Sequence, residues 1–197
     1  MRGLGKPKLP ESRKKVSDFL QQRLGGVTSV HAYYDADESH VVAVVDADGA
    51  PHATLQACAT ASLHAYPNEL EGEDIRVELL MVGKSGIPEI AEIVSTSAFF
   101  VIKSHWLAAP GVVFPGMVLD HVPTTTTPNL MWQETFDFDD LATLEISGIE
   151  QEVHVLQGVP LSDPEVAYLR EFGFDALTTL LEEEKVDHFD LFRASVV

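Results

Sequence analysis

"IRVELLMVG", residues 75–83, is the stretch that decides the fold. Successive side chains of a strand point to opposite faces, and both faces of this one carry apolar residues, so it is predicted to be a buried central strand. Arg76 and Glu78 lie two positions apart, share one face and are able to pair. The apolar positions are Ile75, Val77, Leu79 and Met81 on one face and Leu80 and Val82 on the other.

The segment that follows this strand is predicted to be a long buried helix over residues 87–106. Pro88 lies near its first position and Glu89 beside it, and both residue types favour a helix start. Apolar residues occupy most sides of the helix, and a helix of that kind is buried. We therefore expect it to pack on the sheet as the main core helix.

The remaining pattern predicts an α+β fold with a mostly antiparallel mixed sheet, an N-terminal helix and C-terminal helices. An amphipathic helix over 11–24 places Val16, Phe19, Leu20 and Leu24 on one face. The tail 1–10 is expected to be flexible and basic, and 11–197 to form one domain. Further strands are predicted at 27–34, 40–45, 52–59, 130–138, 141–146 and 151–159, with a short extended piece at 116–119 in a loop spanning 107–130.

"SDPEVAYL", residues 162–169, has the pattern of a helix start. Ser162 can cap the backbone while Glu165, three positions later, reaches back to form a capping box. Pro164 stands where its missing N–H has no consequence. Asp175 is predicted to cap a second C-terminal helix.

The charge of the chain is strongly negative and unevenly distributed. The formal net charge is −18, with +5 over residues 1–15 and −23 over the rest. A body this acidic repels phosphate backbones, which argues against nucleic-acid binding and suits a basic protein partner. No apolar run is long enough for a membrane span, so no membrane role is predicted. The lone Cys58 reads as a buried structural thiol, and a cytoplasmic location is expected.

No motif predicts chemistry. The eight histidines are scattered, and none are paired on one helix face in a metal-binding pattern. We predict no catalytic residues, no metal ligands and no cofactor. A hydrolase or metal-dependent enzyme remains an alternative, since His, Asp and Glu from distant segments can meet in space.

Three stretches, in order along the chain, carry a family resemblance: the Arg-x-Glu-Leu strand at 76–79, the middle loop at 110–119 and the Pro-Leu-x-x-x-Glu turn at 160–165. Together they resemble the suppressor-of-fused (SUFU) domain family, over roughly residues 27–195. The bacterial members of that family are single domains of about this size. The residues that carry the resemblance are Arg76, Glu78, Leu79, Gly116, Pro160, Leu161 and Glu165.

The resemblance implies an α+β fold and a role in binding another protein. Bacterial members occur among the presumed immunity proteins of polymorphic toxin systems, and the family has no established catalytic residues. The chain departs from the family at Met117, where a histidine often follows the glycine. The first hypothesis is a non-catalytic protein-binding module of immunity type, with an unknown binding face. The alternatives are the enzyme named above and a structural homodimer.

Overall fold

The computed structural model describes residues 12–138, 140–146, 149 and 151–197, so the predicted tail lies outside the described residues. The helices are α1 (Arg13–Leu24), α2 (Glu89–Ser104), α3 (Asp163–Phe172) and α4 (Phe174–Glu183). The strands are β1 (Val27–Tyr34), β2 (Val41–Asp48), β3 (Leu55–Thr60), β4 (Glu69–Leu70), β5 (Glu73–Asp74), β6 (Arg76–Lys84), β7 (Val113–Phe114), β8 (Asn129–Glu134), β9 (Thr143–Leu144) and β10 (Val153–Leu161).

The main sheet has the strand order β1-β2-β3-β6-β10-β8-β7, with β9 also paired to β10. Strand β6 pairs with β10 in parallel, and the other pairs in this sheet are antiparallel. The prediction of a mostly antiparallel mixed sheet with a central strand at 75–83 is confirmed. Strands β4 and β5 form a small separate hairpin that the sequence pattern did not predict.

Strand β2 contributes to two cores because successive side chains point to opposite faces of the sheet. Val42 and Val44 pack with α2 in one buried cluster. Ala43, Val45 and Ala47 pack with α1 in another. The sheet therefore lies between α2 on one face and α1 on the other, and α2 is the buried core helix that the sequence predicted.

Helices α3 and α4 cover the face that α1 also covers, at the β10–β8 side of the sheet. Along β10, Val153 and Val155 belong to the α1 core, while Val159 and Leu161 pack in the cluster of α3 and α4. These four residues are separated by even numbers of positions, so their side chains share one face of the sheet.

Two local predictions are wrong. The extended piece expected at 116–119 is a run of turns, because Gly116 has φ +70 and redirects the chain; the nearby strand is β7 instead. Asp175 makes no capping hydrogen bond. Helix α4 begins directly after Gly173, whose φ of +89 reverses the chain, so Asp175 already lies inside the first turn.

Part of the predicted loop after α2 is buried. Phe114, Met117 and Val118 are buried in the core cluster of α2. The segment thus closes the α2 face of the sheet. Within the described residues, no helix is long and apolar enough to cross a membrane.

Candidate partner-binding surface

Arg76 and Glu78, which their spacing would allow to pair, do not pair with each other; both hold the segment around His64. Arg76 Nη1 donates to the carbonyl of His64 over 3.1 Å, and its other terminal nitrogen lies 2.5 Å from Asp74. Glu78 Oε1 lies 2.5 Å from His64 Nδ1. Asp74, which is also close in sequence, binds the guanidinium of Arg76 instead.

The carboxyl group of Glu78 is fully buried and is surrounded by donors. It accepts from the backbone N–H groups of Leu63 and His64, each over 3.1 Å, and from the Thr60 hydroxyl. Leu79, the next residue, donates its N–H to the same hydroxyl over 2.8 Å. Buried polar groups need such partners, so Glu78 fixes the single 3-10 turn at 63–65 against β6.

Asn129 joins two of the predicted family residues. The N–H of Gly116 donates to Asn129 Oδ1 over 3.1 Å. The amide nitrogen of Asn129 donates to the carbonyl of Leu161 over 3.4 Å and to Asp163 over 2.9 Å. One amide side chain therefore ties the middle loop to the start of α3.

Glu165 and Pro160 meet at Arg193. The guanidinium of Arg193 donates to both carboxylate oxygens of Glu165, over 2.6 and 2.8 Å, and to the carbonyl of Pro160 over 2.9 Å. Glu165 also completes the capping box with Ser162, as predicted. Burial favours the protonated carboxyl, but the hydrogen bonds from Arg193, Ser162 and Val196 outweigh it and hold the pKa of Glu165 below its ordinary value.

The sequence pattern did not predict the partners of these residues: His64, Asn129 and Arg193. Arg193 carried a usable signal, since only 7 basic residues lie beyond residue 15. A cation is rare in that setting and is expected to have a specific partner. Neither His64 nor Asn129 stands out in composition or spacing.

A cleft of about 560 Å³ lies between the end of β1 and helix α2. Volumes of this order accommodate ligands and partner side chains. The residues that α2 contributes are spaced at three and four positions, so they form one face of the helix. The aromatic and charged lining residues are Tyr33, Tyr34, Phe99, Phe100, Asp35, Glu92 and Lys103.

Charged groups occupy two separate parts of this cleft. Glu92 and Lys103 are eleven positions apart on α2, which corresponds to roughly 16 Å along the helix axis. Phe99 and Phe100 lie between them. His121 Nδ1 lies 3.5 Å from Glu92 Oε2. The cleft therefore has an aromatic middle and ionic ends.

The ionic end at Lys103 is a cluster of three charged side chains. Lys103 Nζ lies 2.7 Å from Asp35 and 3.1 Å from Asp37. Burial opposes ionisation of Asp35, but hydrogen bonds from Lys103, the N–H of His40 and the Ser39 hydroxyl outweigh it and hold its pKa far below the ordinary range. Two carboxylates and one ammonium leave this end negatively charged.

Ser12, His64 and Glu78 are connected by contacts in the order serine, histidine, carboxylate, as in an acyl-transfer triad. Ser12 Oγ lies 2.6 Å from His64 Nε2, and His64 Nδ1 contacts Glu78. Besides the large cleft, smaller ones of about 430, 370 and 240 Å³ occur. None of these four is lined by the three side chains. The chain of contacts joins the start of α1 to β6 and lies outside these four clefts.

The other groups considered for chemistry are placed apart. Within the ranges that the structure describes, no three His, Cys, Asp or Glu side chains are arranged to hold a metal ion. Cys58 is buried in the α2 core, and this burial raises the pKa of its thiol. A thiol of this kind is not a nucleophile at neutral pH.

The architecture described above is similar to known proteins. A curated relative, immunity protein YqcF from Bacillus subtilis (strain 168), is 28% identical over 190 residues, which is 95% of this chain and 98% of the relative. The family model for suppressor of fused protein (SUFU) matches residues 35–194.

Solved structures show the same fold at low sequence identity. A SUFU homologue from Neisseria gonorrhoeae FA 1090 gives a TM-score of 0.73 at 14% identity, covering 95% of this chain and 97% of that one. A chain of the Sufu–Fu complex gives 0.63 at 15% identity, covering 96% and 93%. Drosophila Suppressor of Fused gives 0.58 at 14%, covering 95% and 52%. With the family match spanning four fifths of the sequence, the chain belongs to the suppressor-of-fused (SUFU) family.

Proposed function

We propose that this chain is a non-catalytic, immunity-type protein that binds a protein partner and neutralises it by covering its surface. The observation that carries the proposal is the cleft between β1 and α2, which combines aromatic side chains with acidic ends. Family membership and the name of the Bacillus subtilis relative agree with it.

The chemistry of this cleft suits a protein surface. Phe99 and Phe100 are partly buried against the core. Anchored aromatic side chains provide contact area with little loss of conformational freedom on binding. The charged groups at each end provide orientation and rate of encounter more than affinity.

The partner is proposed to be basic, because the net charge of −18 steers cations toward the surface. Arg76, Glu78, Gly116 and Glu165 are proposed to be architectural, since their hydrogen bonds and ion pairs hold the fold and none of them lines the cleft. We also propose that residues 11–197 act as one domain in the cytoplasm, with Cys58 remaining a free thiol.

The experiment is co-expression with the product of an adjacent gene that inhibits growth when expressed alone. The chain is expected to co-purify with that product and to restore growth. Glu92→Lys, which reverses a charge in the cleft, is expected to weaken the association at least about tenfold.

Glu89→Lys is the matched control. Glu89 lies in the same first turn of α2, so both substitutions have a similar effect on the helix dipole, but Glu89 does not line the cleft. If growth is restored equally by the parent, Glu92→Lys and Glu89→Lys, the cleft is not the binding surface. If no adjacent product is retained even at low salt, the proposed function is wrong.

A further inference from the structure

Strand β1 is the end strand of the sheet. Within the described part of the chain it pairs only with β2, and six of its eight residues are exposed. Val27 is 78% exposed and Val30 is 40% exposed. The outer side of such a strand presents backbone N–H and C=O groups, which form a template for another strand.

The sequence of β1 lacks the residue types that normally prevent strand pairing. Proteins protect end strands with Lys, Pro, inward charges or very short length. The sequence of β1, "VTSVHAYY", has none of these residues and is rich in β-branched and aromatic types that favour strands. The end strand on the opposite side of the sheet, β7, has two residues, and such a short length is one of these devices.

We propose that β1 receives an extended segment of the protein partner as an added strand, with an uncharged centre and basic ends. This inference rests on the proposed function and names its mode of recognition. The centre of β1 carries no formal charge, whereas acidic residues flank it. Asp48, on β2, is the cross-strand partner of Val27 at one end, and Asp35 and Asp37 follow the strand at the other.

The cleft adjoins this edge, which gives the added strand a second contact. Tyr33 belongs to β1, lines the cleft and packs against the α2 core. Alternate side chains of an added strand point to that same face. A side chain on that face therefore contacts the aromatic residues around Phe99, while main-chain hydrogen bonds form along β1.

A second copy of this chain is the disfavoured occupant. Pairing β1 with β1 would bring together two bodies that each carry a formal charge of −18. Like charges of this size oppose association. A basic segment is instead attracted by the negative charge of the chain.

The experiment uses the full chain, labelled for NMR, and two synthetic peptides of eight residues. One has the sequence Lys-Thr-Val-Thr-Tyr-Thr-Val-Lys, and the other replaces both lysines with glutamates. The lysine peptide is expected to shift the backbone amides of 27–33 and the side chain of Phe99, and to bind at least about tenfold more tightly than the glutamate peptide. Shifts located away from β1, or equal affinities, would overturn the inference.

Val30→Lys tests the edge directly, because lysine is a natural device against strand pairing. This substitution is expected to weaken binding of the lysine peptide at least about tenfold. Leu119→Lys is the matched control: Leu119 is 44% exposed, close to the 40% of Val30, and lies in the loop after α2. Equal weakening by both variants would contradict strand addition. So would a dimer of the chain alone, by light scattering, with protected β1 amides.

The growth assay separates this inference from the proposed function. If Val30→Lys restores growth as fully as the parent, strand addition is wrong and the proposed function stands. If the lysine peptide binds at β1 but no adjacent gene product is neutralised, the edge recognises a basic strand and the proposed function fails.

Discussion

Glu78 and Arg76 have different structural weights although they stand two positions apart. Glu78 is fully buried with four donors around its carboxyl group, whereas the Arg76 side chain is 17% exposed and pairs with Asp74, itself 34% exposed. A partly exposed pair contributes roughly 0–1 kcal/mol, while each buried donor left without an acceptor costs about 1–3 kcal/mol.

Glu78→Ala is therefore expected to lower the free energy of unfolding by at least about 3 kcal/mol, and Arg76→Ala by about 1 kcal/mol. Urea denaturation at neutral pH measures both. Equal losses would indicate that the two residues act as one pair, an arrangement that their spacing in the sequence allows.

Glu165 links stability to pH. Its pKa is lowered in the folded protein, so its contribution is complete above the pKa of the unfolded chain and is lost as the pH falls through the folded pKa. At pH 7, Glu165→Gln leaves the buried Arg193 without its counter-charge, and a loss of about 3–5 kcal/mol is expected.

The loss from Glu165→Gln, measured by urea denaturation, is expected to shrink as the pH falls below about 4.5, because the parent then loses the same ion pair. Glu171→Gln, at an exposed position of α3, is the control and is expected to change stability by less than about 0.5 kcal/mol at either pH. A difference between parent and Glu165→Gln that is independent of pH would contradict this assignment.

For single residues, the sequence predicts hydrogen-bonding partners that are close along the chain but not those that are distant. The Ser162 and Glu165 contacts are three positions apart and follow from the pattern of a helix start. Arg193 reaches Glu165 from 28 positions away, and no periodicity encodes such a contact. The partner of Arg76 is missed for a related reason, because spacing shows which residues share a face but not which neighbour is closer.

The helices of the C-terminal region begin in two different ways. Ser162 accepts from the N–H of Glu165 and caps α3, while α4 starts at Gly173 without any side-chain cap. Ser162→Ala is expected to lower the free energy of unfolding by about 1 kcal/mol, and Asp175→Ala by clearly less.

Thermal and urea denaturation of the two variants check this prediction about helix starts. The Asp175 variant serves as the comparison, since both positions were predicted as caps from sequence and only one is a cap in the structure. A larger loss at Asp175 than at Ser162 would show that α4, not α3, depends on its first residues.

Elements with strong periodicity are predicted well, and short irregular ones are not. Helix α2 and strand β6 follow from long apolar patterns. Strands β4, β5 and β7 have two residues each and depend on tertiary contacts that no local pattern reports. The cleft could not be predicted, because it forms where α2 meets the end of β1.

At the scale of the whole molecule, the relevant features are the hydrophobic core and the surface charge. The apolar residues are distributed over two faces of one sheet, and the acidic residues outside the N-terminal segment give the surface a strongly negative field. Composition predicts this field and the class of partner that suits it. It does not predict the β1 edge, the proposed place of contact, since exposure of an end strand depends on the strand order.

The most direct test of the central claim is a titration of the purified partner with this chain, with the activity of the partner as the readout. A non-catalytic binder is expected to abolish that activity at one chain per partner molecule, with the mass of the partner unchanged. Activity lost at far less than one chain per partner, or a covalent change in the partner, would contradict the account.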